Sequence, residues 1–251
     1  MQELTQKIGQ ELSSWSTFLK TISRNLKGEK FESEVFVLQR FLSPGAVCLD
    51  IGAAYGRYAF QMSQLVGPGG HVYCYEPGDY SYNVIKKVIR FHRLNNVTLI
   101  KKALSNRTGV ASLTIPIKGG HKLGPSLAHL STDQAENGLT QTSVTTTTVD
   151  QFCEEQKISQ LKFIKCDVEG AELLVFEGAE KTLERFRPAV LSEVETEHLK
   201  KFNTSPTDVF NFFFKIGYRA YLLCDGDFKY ITHPEGDRNY FFLHPLQKKI
   251  L

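Results

Sequence analysis

The sequence predicts an α/β protein built on a mostly parallel sheet. From residue 44 onward, apolar runs of strand length alternate with helix-length stretches, and the first such run ends in a glycine-bearing turn. The last two runs lie too close together for a helical crossover and should pair antiparallel. A chain of 251 residues can bury one substantial core, so we expect an N-terminal helical extension over 1–30 and one main domain over 31–251.

In the extension, Ile8, Leu12, Trp15, Leu19 and Ile22 recur at helical spacing. Such a stripe packs onto the main domain or onto a sister subunit, readings preferred here to a helix lying on a membrane, and the second reading is a homodimer through this helix. Residues 46–51 (AVCLDI) form a strand opened by Pro44-Gly45 and closed at Gly52, and a helix follows over 58–66. A strand at 71–76 (HVYCYE), a polar helix at 79–94 and a strand at 97–104 (VTLIKKAL) continue a β-α-β-α-β series with right-handed crossovers. Over 106–149 the rhythm changes to the β-branched runs ASLTIPI and TSVTTTTV, which predict a β-rich insertion of two strands and a flexible loop. The loop, 119–141, contains His121, Ser126 and His129 and is long enough to fold over a cleft. Strands at 161–167 (LKFIKCD) and 189–195 (AVLSEVE) flank a helix over 171–186 that stops before Pro188. An aromatic-rich helix at 207–216 and strands at 218–224 and 239–244 complete about seven core strands.

Composition narrows the function. Thirty basic and 27 acidic residues, a net charge of +3, are scattered without blocks of one sign, so a nucleic-acid partner is not implied. No run has the length and apolarity of a membrane span or a signal peptide, and the expected location is cytoplasmic. Five dispersed cysteines without CxxC spacing read as reduced core thiols.

Two constellations carry chemistry. Asp50-Ile51-Gly52-Ala53-Ala54-Tyr55-Gly56 sits where the first strand turns into its helix, and glycine there lets the backbone approach a ligand. Glu76, before Pro77, ends the next strand 20 residues after Gly56, where a carboxylate can accept both hydroxyl protons of a ribose. The turn alone also suits tight packing. A nicotinamide dehydrogenase would place its third glycine one position later. The second constellation is Lys165-Cys166-Asp167-Val168-Glu169-Gly170-Ala171-Glu172, three carboxylates within six residues at a strand end. Asp167 should face the cleft, whereas Glu172 reads equally well as a helix-start charge.

With these residues in view, the chain resembles the FkbM family of S-adenosylmethionine-dependent methyltransferases. The matching segments are GAVCLDIGAAYG (45–56), Tyr75-Glu76-Pro77, Ala103-Leu104-Ser105, Thr148-Val149-Asp150, FIKCDVEGAEL with FEGA, and RPAVLSEVE. They fall within about residues 30–197, and the hexamer DVEGAE is the most specific of them. Ala54 departs from the family, which often carries Asn there. The resemblance implies a Rossmann-like class I methyltransferase fold, a seven-stranded sheet with an antiparallel last strand. It also implies methyl transfer from S-adenosylmethionine, leaving S-adenosylhomocysteine, usually to a hydroxyl oxygen of a sugar or secondary metabolite. Asp50, Gly52, Ala54, Tyr55 and Gly56 would then line the methionine side, Glu76 and Pro77 the ribose, and the segment ending at Ser105 the adenine, with Asp167 at the cofactor's edge.

A hydroxyl acceptor must lose its proton, and a positioned carboxylate is the usual means. Asp167 is the leading candidate, Glu193 the second and Glu169 the third. A divalent ion between Asp167 and Glu193 is permitted but not favoured, and no metal ligand is assigned. His198 is a weaker candidate base, and Glu32 and Glu34 resemble an acidic position of the family near the cofactor mouth. The alternatives are a binding module that keeps the nucleoside pocket without the chemistry and, more remotely, a nicotinamide-dependent oxidoreductase.

Overall fold

A computed structural model of the chain describes residues 2–27, 32–115, 117–118, 122–123, 128–130 and 140–246. Helix α1 (Gln2–Lys27) leads to the short α2 (Ser33–Val37) and a 3-10 turn (Leu38–Arg40). Then β1 (Val47–Ile51), α3 (Arg57–Val66), β2 (His71–Tyr75), α4 (Asp79–His92) and β3 (Val97–Ile100) alternate. The insertion contains β4 (Ala103–Leu104), β5 (Gly109–Ile115), β6 (Ile117–Lys118), β7 (Lys122–Leu123), β8 (His129–Leu130) and β9 (Thr140–Thr147). The second half of the domain comprises α5 (Val149–Glu155), β10 (Phe163–Cys166), α6 (Glu172–Glu177), α7 (Glu180–Phe186), β11 (Ala189–Val194) and α8 (Thr196–Lys200). Helix α9 (Pro206–Lys215), β12 (Arg219–Cys224), β13 (Asp227–Ile231) and β14 (Arg238–Leu243) close the described chain.

The main sheet runs β13-β12-β14-β11-β10-β1-β2-β3. Strand β1 lies between β2 and β10, parallel to both, with Ile51 paired to Tyr75 on one side and to Cys166 on the other. The residues that follow these three strands therefore meet at one edge, where the strand order reverses and α/β sheets open a crevice. β1 and β10 are covered on both faces, which is why they read as continuous apolar runs. Leu49, Ile164, Val190 and Phe242 pack below α5, α7 and α9, while Cys48, Val72, Phe163 and Phe241 pack on the side of α2 and α3.

The seven expected strands are present, and β14 enters antiparallel between β11 and β12. An eighth strand, β13, folds back on β12 through Asp225-Gly226, both with positive φ, a two-residue hairpin signal that the sequence carries inside the expected linker.

Two expected elements are divided. The strand over 97–104 stops at Ile100, and β4 turns away to pair parallel with β9 in a second sheet, ordered β4-β9-β5-β8. The helix over 171–186 is broken at Gly178, where a Cβ would lie 2.2 Å from the Ser105 carbonyl oxygen. Asp150 then caps the second half, accepting from the backbone N–H of Thr182 at 2.8 Å and of Lys181 at 3.2 Å. His121 and Ser126 lie outside the described residues, while His129 stands in β8. Four cysteines are buried thiols, and Cys224 is exposed.

Helix α1 packs Phe18 and Ile22 against Val84 and Val88 of α4. Tyr80 lies within hydrogen-bond distance of the Ser13 and Thr17 hydroxyls, at 3.0 and 2.8 Å.

Candidate functional site

At the switch point the turn after β1 is shaped by what approaches it. Gly52 has φ +75, and a Cβ there would lie 1.8 Å from the carbonyl oxygen of Asp167, so only glycine lets the ends of β1 and β10 come together. Gly56, at φ +78, sits against Ile85, which a Cβ would meet at 2.8 Å. Ala54 takes φ +45, a region that Asn enters more readily than alanine. Its N–H donates to Glu76 Oε2 at 2.9 Å, and the N–H of Gly78 donates to Glu76 Oε1 at 2.8 Å. The glycine turn and the acidic strand end, 22 residues apart, are thus one hydrogen-bonded unit.

Gly52, Ala54, Glu76, Pro77, Asp167 and Glu169 line one cleft of about 630 Å³, counted to its open mouth. Ile51, Tyr75, Ala103, Leu104, Leu113 and Leu130 give it an apolar wall, to which the insertion sheet contributes through β4, β5 and β8. Asp50 lies buried beneath the turn, with Oδ2 lacking a hydrogen-bond partner. Not every candidate reaches the cleft. Tyr55 packs toward α1 and Tyr80, Gly56 is occupied by Ile85, and Ser105 lines a neighbouring depression with Asn106 and Arg107. Glu193 stands behind Asp167, with which it shares a hydrogen bond.

Burial sets the electrostatics. It raises Asp50 to about 7 and Glu76 to about 8, against the lowering effect of Lys165 on the first and of the two backbone N–H groups on the second. Glu193 rises to about 9 through burial and the neighbouring charge of Asp167. Asp167 moves the other way: burial raises it, but Lys165 and the hydrogen bonds from Glu193 and Lys165 together hold it below the usual carboxylate range. The two carboxyl groups, joined by a hydrogen bond, titrate as a pair.

Lys165 was not among the residues singled out from the sequence. It is 2% exposed, places Nζ 3.3 Å from Asp167 Oδ2 and lies 5.3 Å from the centre of the Tyr58 ring. Tyr58 in turn donates to Glu32 Oε2 at 2.7 Å, and Arg57 pairs with Glu32 Oε1 at 3.0 Å. Glu32 thus enters the site's support through Tyr58 and Arg57. The available signal was a lone lysine inside the apolar run LKFIKCD, two residues from Asp167 and so on the same face of its strand.

The DVEGAE segment divides its acids by role. Glu172 is 2% exposed and accepts from the N–H groups of Val168 at 2.9 Å and Gly170 at 3.2 Å, closing the turn that presents Asp167. A Cβ on Gly170 would lie 2.2 Å from the His198 carbonyl oxygen, so this glycine lets α8 close onto the turn. Glu169, raised to about 8 by burial and by Asp167, has Oε2 at 3.1 Å from His198 Nδ1, which is also 3.2 Å from Glu195 Oε2. Ligand atoms of Glu193, Glu195 and His198 lie within 4.8 Å of one another, a donor set suited to a divalent cation. Within that cluster His198 already contacts Glu195, and Glu193 is hydrogen-bonded to Asp167.

The profile of the Methyltransferase FkbM domain matches residues 50–220. Among solved structures, a methyltransferase FkbM from Methylobacillus flagellatus KT superposes with a TM-score of 0.53 at 15% identity, over 81% of this chain and 47% of that one. This chain thus spans about half of that relative's length. A putative rRNA-methylase from Clostridium thermocellum gives a TM-score of 0.50 at 12% identity, over 84% of this chain and 92% of that one. At these identities the likeness establishes the fold alone, which is Rossmann-like. No curated protein sequence matches the chain.

Proposed function

This chain belongs to the FkbM methyltransferase family, and from that premise we propose that it transfers a methyl group from S-adenosylmethionine to a hydroxyl oxygen of a small-molecule acceptor, a sugar or secondary metabolite. The observation that carries the reading is the arrangement of Glu76 and Asp167 across one cleft, joined by a turn whose glycine neither strand end could replace.

The residues fit the donor. Each Glu76 oxygen is held by one backbone N–H and keeps a lone pair for a ribose hydroxyl. Ala103 and Leu104 offer an apolar surface to the adenine, and Gly52 leaves the main chain bare beside the methionine side. S-adenosylmethionine, when bound, supplies a methyl group already activated on a sulfonium. The protein's remaining work is to hold the acceptor oxygen in line and to take its proton. Asp167, kept ionised by Lys165, accepts that proton, while Glu193 donates a hydrogen bond to Asp167 and fixes its orientation. Glu169, further along the turn, meets the acceptor side.

Isothermal titration with S-adenosylhomocysteine tests the donor site. One equivalent should bind, and Glu76→Gln should weaken binding ~10-fold or more, because the amide puts an NH2 group where an oxygen would accept a ribose hydroxyl proton. No binding by folded protein overturns the reading. Release of S-adenosylhomocysteine across a panel of hydroxyl compounds then tests transfer, and binding without turnover on any of them favours a module that keeps only the pocket.

A further inference from the structure

On the premise that the cleft takes S-adenosylmethionine, we infer that the Ser81 hydroxyl donates a hydrogen bond to N3 of its adenine base, a contact outside every recognisable motif. Ser81 stands in the first turn of α4, five residues after Glu76, and lines the cleft beside Glu76, Pro77 and Ala103. It is 1% exposed, and among the described residues its Oγ has no hydrogen-bond partner.

An unpaired hydroxyl is out of keeping with a helix. A helical serine or threonine has a ready acceptor in the carbonyl four residues back. Thr21 of α1 uses it, donating to the Thr17 carbonyl at 2.9 Å. Ser81 makes no such bond. Burying a hydroxyl without a partner destabilises the folded chain, so one that lies at the wall of a ligand cleft points to an acceptor that the ligand brings.

The surrounding backbone selects that acceptor. Between positions 76 and 78 no main-chain N–H is left for a ligand. The Glu76 N–H donates to the Ile100 carbonyl at 3.1 Å, Pro77 has none, and the Gly78 N–H donates to Glu76 Oε1 at 2.8 Å. Across the turn, the Ala54 N–H donates to Glu76 Oε2 at 2.9 Å. These bonds orient the carboxylate to accept protons from the ribose, and they leave that end of the cleft short of donors. Adenine brings an acceptor to it, because N3 flanks the glycosidic bond on the side of the 2′-hydroxyl. With the ribose on Glu76 and the base against Ala103 and Leu104, N3 comes to the wall that Ser81 helps to form. Rotation about the single Cα–Cβ bond turns the hydroxyl toward it. Lys102, at the same wall, is exposed, and water satisfies its ammonium.

Isothermal titration with S-adenosylhomocysteine separates this contact from the donor site as a whole. A folded wild type that binds none overturns both. Where wild type binds, Ser81→Ala should bind ~5-fold or more weakly, the usual effect of losing one hydrogen bond between neutral groups. The melting temperature of ligand-free Ser81→Ala, followed by calorimetry, should hold or rise, because the change removes an unpaired buried hydroxyl and little volume. A serine with a structural role would lower it. The 3-deaza analogue of S-adenosylhomocysteine, with a C–H in place of N3, identifies the atom. Wild type should bind this analogue ~5-fold or more weakly than S-adenosylhomocysteine, whereas Ser81→Ala should bind the two alike. Unchanged affinity in Ser81→Ala, a lower melting temperature of its ligand-free form, a wild type indifferent to the analogue, or a variant that discriminates as wild type does overturns the contact and leaves Glu76 and the donor site in place.

Discussion

Lys165 shows how a side chain remote from any ligand contact can set the chemistry. An ammonium buried inside a sheet persists only with close negative partners, and Asp167 is the nearest. Replacing it by methionine removes the cation while keeping the volume. We expect Lys165→Met to raise the pKa of Asp167, the usual effect of losing an adjacent opposite charge. Carbon-13 NMR of labelled aspartate carboxyls can follow the shift in the absence of any acceptor. S-adenosylhomocysteine affinity should change little, since Lys165 does not line the cleft. At this scale the sequence made Glu76 and Asp167 legible because each follows an apolar strand. It could not separate Asp167 from Glu193, because strand-end position says nothing about which carboxylate keeps the proton. Tyr55 and Ser105 stand beside the recognisable motifs yet face away from the cleft, and only the packing of α1 and of the second sheet shows it.

Helix α9 illustrates an element whose start is written in four residues. Ser205 accepts from the Asp208 N–H at 3.3 Å, Asp208 accepts from the Ser205 N–H at 2.8 Å, and Pro206 fills the first turn. Ser205→Ala should cost ~1 kcal/mol through the lost cap. That corresponds to a melting temperature lower by ~2–4 °C for a domain of this size, measurable by calorimetry. Elements with such local signals matched expectation closely. The division of α6 from α7, and the departure of β4 from the line of β3, have causes distant in sequence: the Ser105 carbonyl pressing on Gly178, and the pairing of β4 with β9. No window of a dozen residues contains either partner, so periodicity alone joined what the fold separates.

Across the whole molecule, five carboxyl groups share a bias. Asp50 and Glu172 lie at about 7, Glu76 and Glu169 at about 8 and Glu193 at about 9, each raised chiefly by burial. A carboxyl that binds its proton more tightly when folded stabilises the fold fully below its unfolded value, ~4, and loses that contribution as pH rises through the folded value. The melting temperature of the ligand-free protein should therefore fall between pH 6 and 9, by ~5 °C or more if about 2 kcal/mol is lost. A flat or rising profile would show that these groups ionise freely in the folded state. The lowered Asp167 acts oppositely, but only toward acid pH.

The sequence by itself determined the alternation of strands and helices, the glycine turn, the two acidic strand ends and the family they resemble, because each is encoded by neighbours within a few residues. Only the tertiary structure decided that Ala54 and Glu76 are hydrogen-bonded, that a buried lysine supports Asp167, that Glu172 closes a turn, and that α1 packs Phe18 and Ile22 inward while leaving four other apolar residues exposed. These depend on which surfaces meet, and distant segments acquire neighbours only when the chain folds.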